Sequence, residues 1–247
     1  MPKTWISRPL WTLLACLPFL FACDKDKPAE GPKAGGPAPA KAWLETFNVE
    51  AKNFVSSGRN KYFILEPGYQ CYYEGKKGHN LTITVLNETK TVDGVETRVV
   101  EEREFEDGEL SEISRNYFAV DKTTNDVYYF GEDVDTYEGG KVKGHGGSWL
   151  SGKDGAKYGL MMPGSPKVGQ RYYQERAPKV AMDRAEIVSL TEKLKTPAAE
   201  FENCLKTEET SGLESGKEYK FYAPDVGLIS DGDLKLVRHG QAKAANK

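Results

Sequence analysis

Residues 81–120 read LTITVLNETKTVDGVETRVVEEREFEDGELSEISRNYFAV. Two Asp-Gly pairs, Asp93-Gly94 and Asp107-Gly108, divide this stretch into three runs rich in Thr, Val, Ile and aromatic residues. Asp-Gly accommodates the positive φ that a two-residue hairpin turn demands, so each pair predicts a hairpin. In the first run Leu81, Ile83 and Val85 alternate with Thr82 and Thr84, the period-two signature of a strand with one buried face. A turn over residues 121–126, DKTTND, leads to a fourth run, VYYFGEDVDTYE, closed by Gly139-Gly140. Four consecutive antiparallel strands in a meander are therefore expected.

Further strand-like runs follow: QRYYQERAPKV from Gln170, RAEIVSLTEKLKT from Arg184, AEFENCLKTEET from Ala199, KEYKFYAPDVGLI from Lys217 and LKLV from Leu234. The prediction is an all-β fold of roughly ten strands, a single antiparallel meander sheet curved into a half-barrel or a sandwich. Only Trp43 to Ser57 reads as a short helix. Tyr62 to Leu65, Tyr117 to Val120 and Val127 to Phe130 are apolar at successive positions, so both faces of the sheet need cover there.

The amino end has a different character. Lys3 and Arg8 precede an apolar run from Leu10 to Ala22 that stops at Cys23-Asp24-Lys25-Asp26. A basic segment followed by a short apolar one is the layout of an export signal. The run falls short of the roughly 20 apolar residues that span a bilayer. Leu20-Phe21-Ala22-Cys23 resembles a lipobox, which implies cleavage before Cys23 and acylation of its thiol. Residues 1–22 then form the signal and 23–41 a lipidated, Pro/Ala/Gly-rich tether unable to bury enough apolar surface to fold. The β domain is expected over 42–237, with a polar, disordered tail over 238–247. The expected location is the cell envelope, either periplasm or surface, with the membrane as partner through the lipid.

Loss of Lys3 and Arg8 leaves 32 of the 34 basic residues against 37 acidic ones. Such a balance offers no basic field for nucleic acid. Cys16 departs with the signal, so Cys71 and Cys204 are the remaining thiols of an exported chain. Either they form a disulfide or both are small buried apolar residues.

Motifs for specific chemistry are sparse. Gly147 to Lys153 fits the first seven positions of a phosphate-binding loop, but Asp154 replaces the Ser or Thr that would hold the metal ion. His79, His145 and His239 stand apart from any ligand spacing, His239 in the tail, and neither a zinc motif nor a nucleophile elbow occurs. Glu132, Asp133, Asp135 and Glu138 cluster near Tyr129 and Tyr137, as a solvated strand edge or as carboxylates for glycan chemistry. The long connection from His145 to Gln170 carries Trp149, Tyr158, Met161 and Met162, and is expected to fold over one sheet face with Trp149 buried beneath it. Together with Tyr129 these four are the candidate pocket or lid. No metal site and no organic cofactor is expected.

Four segments also carry a resemblance: YFILEPGYQCYYEG from Tyr62, YFAVDKTTNDVYYFGEDV from Tyr117, GSWLSGKDGAKYGLMMPGSPKVGQRYYQERAP from Gly147 and YKFYAPDVGLI from Tyr219. They resemble an uncharacterised family of secreted bacterial β-proteins across about Asn60 to Leu236, a family that implies no activity. In architecture alone the chain is similar to LolA/LolB-like half-barrels, which hold lipid on a concave sheet. The resulting expectation is a non-enzymatic lipoprotein that binds an apolar small molecule or an envelope protein. The alternative is a carboxylate-dependent enzyme acting on envelope glycans.

Overall fold

The computed structural model of the protein describes residues 42–242. The expected signal segment, Cys23, the tether and the last five residues lie outside them.

The four-strand meander forms as its turns dictate. Asp93 and Gly94 have φ of 50° and 76°, and Asp107 and Gly108 have 50° and 83°. Positive φ at both central positions is the twist-compatible hairpin turn. It closes β5 (Asn80–Val92) on β6 (Val95–Glu106) with Val92 opposite Val95, and β6 on β7 (Glu109–Asp121) with Glu106 opposite Glu109. β8 (Val127–Glu138) completes the set.

Before the meander come a 3-10 turn (Ala51–Asn53), β1 (Phe54–Val55), β2 (Gly58–Asn60), β3 (Phe63–Leu65) and β4 (Tyr69–Glu74). After it come β9 (Lys141–Gly144), β10 (Trp149–Leu150), β11 (Lys157–Met162), β12 (Arg171–Tyr173) and β13 (Glu175–Arg176). A second meander ends the chain: β14 (Asp183–Lys195), β15 (Glu200–Ser211), β16 (Glu218–Ala223), β17 (Gly227–Asp231) and β18 (Leu234–Gln241).

The two meanders join through β18 and β4, with Leu236 opposite Tyr73. At the far ends of the sheet β12 pairs with β14 and β13 pairs with β11. Gln174 alone separates β12 from β13. The sheet therefore begins and ends on one short segment, and it curls until it is nearly closed into a barrel. Bulges in the β5–β6, β6–β7 and β7–β8 ladders supply local bending. Gly159 permits the closure, because a Cβ there would lie 2.3 Å from the Gln174 carbonyl oxygen. Gly131, at φ 135°, similarly lets Trp149 of β10 lie against β8.

The apolar interior and the outer cover explain the runs that lack alternation. Phe54 packs edge-on to Tyr128 and Phe130 at ring-centroid distances of 5.5 and 5.1 Å, and Phe47 reaches Tyr128 at 5.5 Å. These N-terminal residues cover the outer face of β8, while the alternate side chains point into the barrel.

Four expectations need correction. The described residues contain eighteen strands, because runs read as one strand are divided, at Gln174 between β12 and β13 and at the turn between β16 and β17, and strands of two residues leave no periodic trace. Instead of a helix, Trp43 to Ser57 forms one 3-10 turn and an extended strap that pairs Phe54 with Asp121. The connection from His145 to Gln170, expected to fold over one sheet face, instead extends the sheet alongside β8 through β10 and β11, with Trp149 buried. β18 continues past Arg238 to Gln241, where backbone pairing with Tyr69 to Tyr72 holds polar residues in the ladder. Arg238 meanwhile lies 3.9 Å from the Tyr72 ring centroid.

Candidate functional site

The inward face of the barrel encloses a cavity of about 120 Å³. Its wall follows from strand alternation. Cys71 and Tyr73 of β4, Leu81, Ile83 and Val85 of β5, and Val100 of β6 form one side. Phe63 and Ile64 of β3, Phe118 of β7, Met161 of β11, Tyr222 of β16 and Leu228 of β17 also line it.

One end of this apolar space is charged. Glu102, Lys220 and Asp231 are the three ionisable side chains there apart from phenols and a thiol. Lys220 Nζ lies 3.2 Å from Asp231 Oδ2 and 3.3 Å from Glu209 Oε2. Burial opposes its charge, but Asp231 and Glu209 more than compensate and hold it protonated. Glu209 is fixed in turn by Gln174 Nε2 at 3.2 Å and Thr207 Oγ1 at 3.0 Å, both donating to Oε1. Glu102 accepts no hydrogen bond among the described residues. Burial pushes its carboxyl up to about 7; Lys220 opposes the rise, while Asp231, Glu104 and Glu112 add to it.

More carboxylates lie in the neighbouring interior. Burial pushes Glu132 up to about 8, against the pull of Tyr129, with Glu102 and Glu112 reinforcing the rise. Burial also holds Glu175 well above the ordinary range, helped by Asp183 and Glu132, and its Oε2 makes no hydrogen bond.

The five candidate residues separate. Met161 reaches the cavity wall. Tyr129 stacks on the wall residue Phe118 at 4.7 Å, donates a hydrogen bond to Asn116 Oδ1 at 2.5 Å, and meets Trp149 edge-on at 5.3 Å. Trp149 is thus buried behind the wall, at 6% exposure. Met162 is fully buried. Tyr158 belongs to the outer cover, its hydroxyl donating to the Phe47 carbonyl at 2.9 Å and its ring stacked on Phe130 at 4.8 Å.

Of the acidic cluster near Tyr129, only Glu132 turns into the barrel. Asp133 pairs with Lys90 at 2.7 Å, Asp135 with His145 at 2.7 Å and Glu138 with Lys143 at 2.6 Å, all surface contacts. His79 bridges Glu104 and Asp233 at 2.6 and 3.1 Å. His239 is not in a tail but sits in β18 beside the Tyr69 hydroxyl at 3.1 Å.

Of the two readings left open for Cys71 and Cys204, a disulfide or two small buried apolar residues, the structure has the two thiols buried and free. β4 and β15 are four ladder steps apart, about 19 Å along the sheet. A disulfide needs Cα atoms within about 7 Å. Burial pushes the Cys71 thiol up to about 11, Tyr73 and Tyr69 countering in part.

Glu102, Lys220 and Asp231 are the charged cavity-lining side chains that sequence reasoning overlooked. A signal for Glu102 existed: β5–β6 pairing places it opposite Ile83, and opposed residues share a face. Once Ile83 is read as inward, Glu102 must be inward too.

Among the described residues no group of three or more His, Cys, Asp or Glu side chains is placed to hold a metal ion. No described helix is long and apolar enough to cross a membrane. No protein-family model matches the chain, and no curated protein matches it. A Bacteroides fragilis protein inferred to be exported, with a YmcC-like fold, is similar in structure with a TM-score of 0.35 and 16% identity, over 76% of this chain and 99% of its own.

Proposed function

We propose that this is an exported protein, tethered to a membrane of the cell envelope through acylated Cys23, whose barrel binds a small, largely hydrophobic ligand without catalysing a reaction on it. The observation that carries the reading is the cavity itself, walled by Cys71, Leu81, Ile83, Val85, Phe118 and Met161. A well-packed barrel leaves few voids larger than a water molecule. An apolar space of about 120 Å³ is close to the roughly 150 Å³ of cavities that accept benzene. The balance of 34 basic against 37 acidic residues fits this reading.

The acidic end of the cavity is what a carboxylate enzyme acting on glycans would need. Two features favour binding instead. Asp231 is neutralised by Lys220, and the space is below the roughly 300 to 1,000 Å³ of ordinary ligand clefts, too small for a sugar chain. Calorimetric titration with benzyl alcohol and 1-pentanol tests the reading. Saturable one-to-one binding to the natural chain, lost when Val85→Trp fills the cavity in a protein of unchanged circular dichroism, supports it. Absence of binding, or binding that Val85→Trp leaves intact, overturns it.

A further inference from the structure

Carboxylates outnumber cations around Glu102. Near Glu102 of β6 stand Glu104 on the same strand, itself paired with His79 at 2.6 Å, the half-buried Glu112 of β7, Glu132 of β8, Asp231 of β17 and Lys220 of β16. The phenols of Tyr73 and Tyr129, also within electrostatic reach of Glu102, are held far above their ordinary value by burial and stay neutral. Lys220 is the cation at this end, and its charge is already shared between Asp231 at 3.2 Å and Glu209 at 3.3 Å. Glu102 is consequently left over. It lies deep in the protein yet keeps accessible surface, because it faces the cavity, and it accepts no hydrogen bond among the described residues.

A carboxylate in that position is unfavourable unless it takes up a proton or meets a cation. A metal ion fits poorly, since no group of three ligands is assembled among the described residues. A fatty-acid or phosphate head would find Lys220 engaged and, above about pH 7, a charged Glu102 repelling it. A protonated amine answers both deficits, because each N–H can donate to Glu102 while its charge offsets the excess of carboxylates.

We infer that the ligand of this cavity is a small organic cation, a protonated primary amine attached to a hydrocarbon group of about benzene size, with its ammonium on Glu102 and its apolar part against Ile83, Val85, Phe118 and Met161. This rests on the reading of the cavity as a ligand site. The size follows from the cavity volume of about 120 Å³. Glu102 holds its proton up to about 7, and a bound cation favours the charged form. Amine affinity therefore rises as pH rises through about 7, and binding near neutrality expels a proton.

Three probes of one shape and different charge test this by calorimetry on the natural chain: benzylamine, benzyl alcohol and benzoate. At a pH slightly above 7, benzylamine is expected to bind at least about tenfold tighter than benzyl alcohol, the scale of one charge-assisted hydrogen bond, with benzoate weakest. Glu102→Gln should erase the amine preference while benzyl alcohol affinity, which reports an intact cavity, stays within about twofold; Glu102→Asp should keep the preference. Repeating the benzylamine titration of the natural chain at neutral pH in buffers of different ionisation enthalpy should reveal proton release. Equal binding of all three probes, tightest binding of benzoate, or amine binding with no proton release overturns the charge assignment and leaves the apolar cavity reading standing. If no probe binds, both readings fall.

Discussion

Lys220 and Asp231 face each other across the β16–β17 ladder, and the ammonium of one lies 3.2 Å from the carboxylate of the other inside the barrel. The pair does two things: it satisfies a cation that could not otherwise be buried, and it takes Asp231 out of contention for any other partner. Removing one member strands the rest. Lys220→Met is expected to destabilise by about 3–5 kcal/mol, because Asp231 and Glu209 lose their shared counter-ion. Lys220→Met combined with Asp231→Asn should recover part of that loss. Urea denaturation of the two variants checks it; equal losses would show that the ion pair is not what the lysine contributes.

The raised carboxyls give stability a characteristic pH dependence. Glu102 and Glu132 titrate near 7 and 8 in the folded protein, against an ordinary value of 4.5. Folded chains thus keep protons that unfolded chains release, so the stability from this source is full below about 4.5 and is lost as pH rises through 7 to 8. His79 is also raised: burial opposes its charge, but Glu104 and Asp233 outweigh it, so its contribution is lost in the same direction. Glu132→Gln should therefore flatten the fall in melting temperature between about pH 5 and about pH 8.5 without abolishing it. An unchanged slope would mean that Glu132 ionises normally.

Trp149 is buried against Tyr129 at 5.3 Å but does not line the cavity. Trp149→Ala should accordingly cost about 3–5 kcal/mol of stability. Affinity for benzyl alcohol, measured well below the unfolding transition, should change little. A loss of affinity with intact stability would place the indole in the binding site instead.

The contrast between legible and illegible parts of the fold lies in range. Asp93-Gly94 and Asp107-Gly108 specify their hairpins locally, and the alternation of Leu81, Ile83 and Val85 specifies which face is inward. β10 and β13, each of two residues, carry no period and exist only because β8 and β11 offer them a partner edge. Arg238 to Gln241 read as a polar tail because their side chains are polar, whereas pairing with β4 uses their backbone. The cavity is harder still. Glu102 and Lys220 come to line one cavity only after β18 docks on β4 and brings the two meanders together. Met161, in contrast, drew notice through a loop too apolar to stay in water, which is a local signal.

Residues 20–23, Leu-Phe-Ala-Cys, lead to a prediction about the chain as it is produced in its own cell. Mass spectrometry of the membrane fraction is expected to find a mature terminus at Cys23 carrying acyl chains, since two or more chains are needed for stable anchoring. A mature chain that begins at Met1, or an unacylated product in the soluble fraction, would remove the tether from the proposal.

The last prediction concerns the two interior thiols. Cys71 sits on the cavity wall in β4, and Cys204 in β15 is fully buried, four ladder steps away. An oxidising compartment would permit a bridge, but the barrel would have to lose β16, β17 and β18 from between them to make one. Reactivity is suppressed as well: thiolate is the nucleophilic form, and burial raises both thiols, Cys71 to about 11. Folded protein should hence resist iodoacetamide near neutral pH, with Cys71 the faster of the two at alkaline pH because the cavity gives a reagent somewhere to sit. Under denaturing, non-reducing conditions, both should react, giving two thiols per chain besides Cys23. Zero thiols there would prove the bridge and would require a rearrangement of the β15 to β4 half of the sheet. Protection of Cys71, but not of Cys204, by saturating benzyl alcohol would tie the thiol to the ligand site by an independent route.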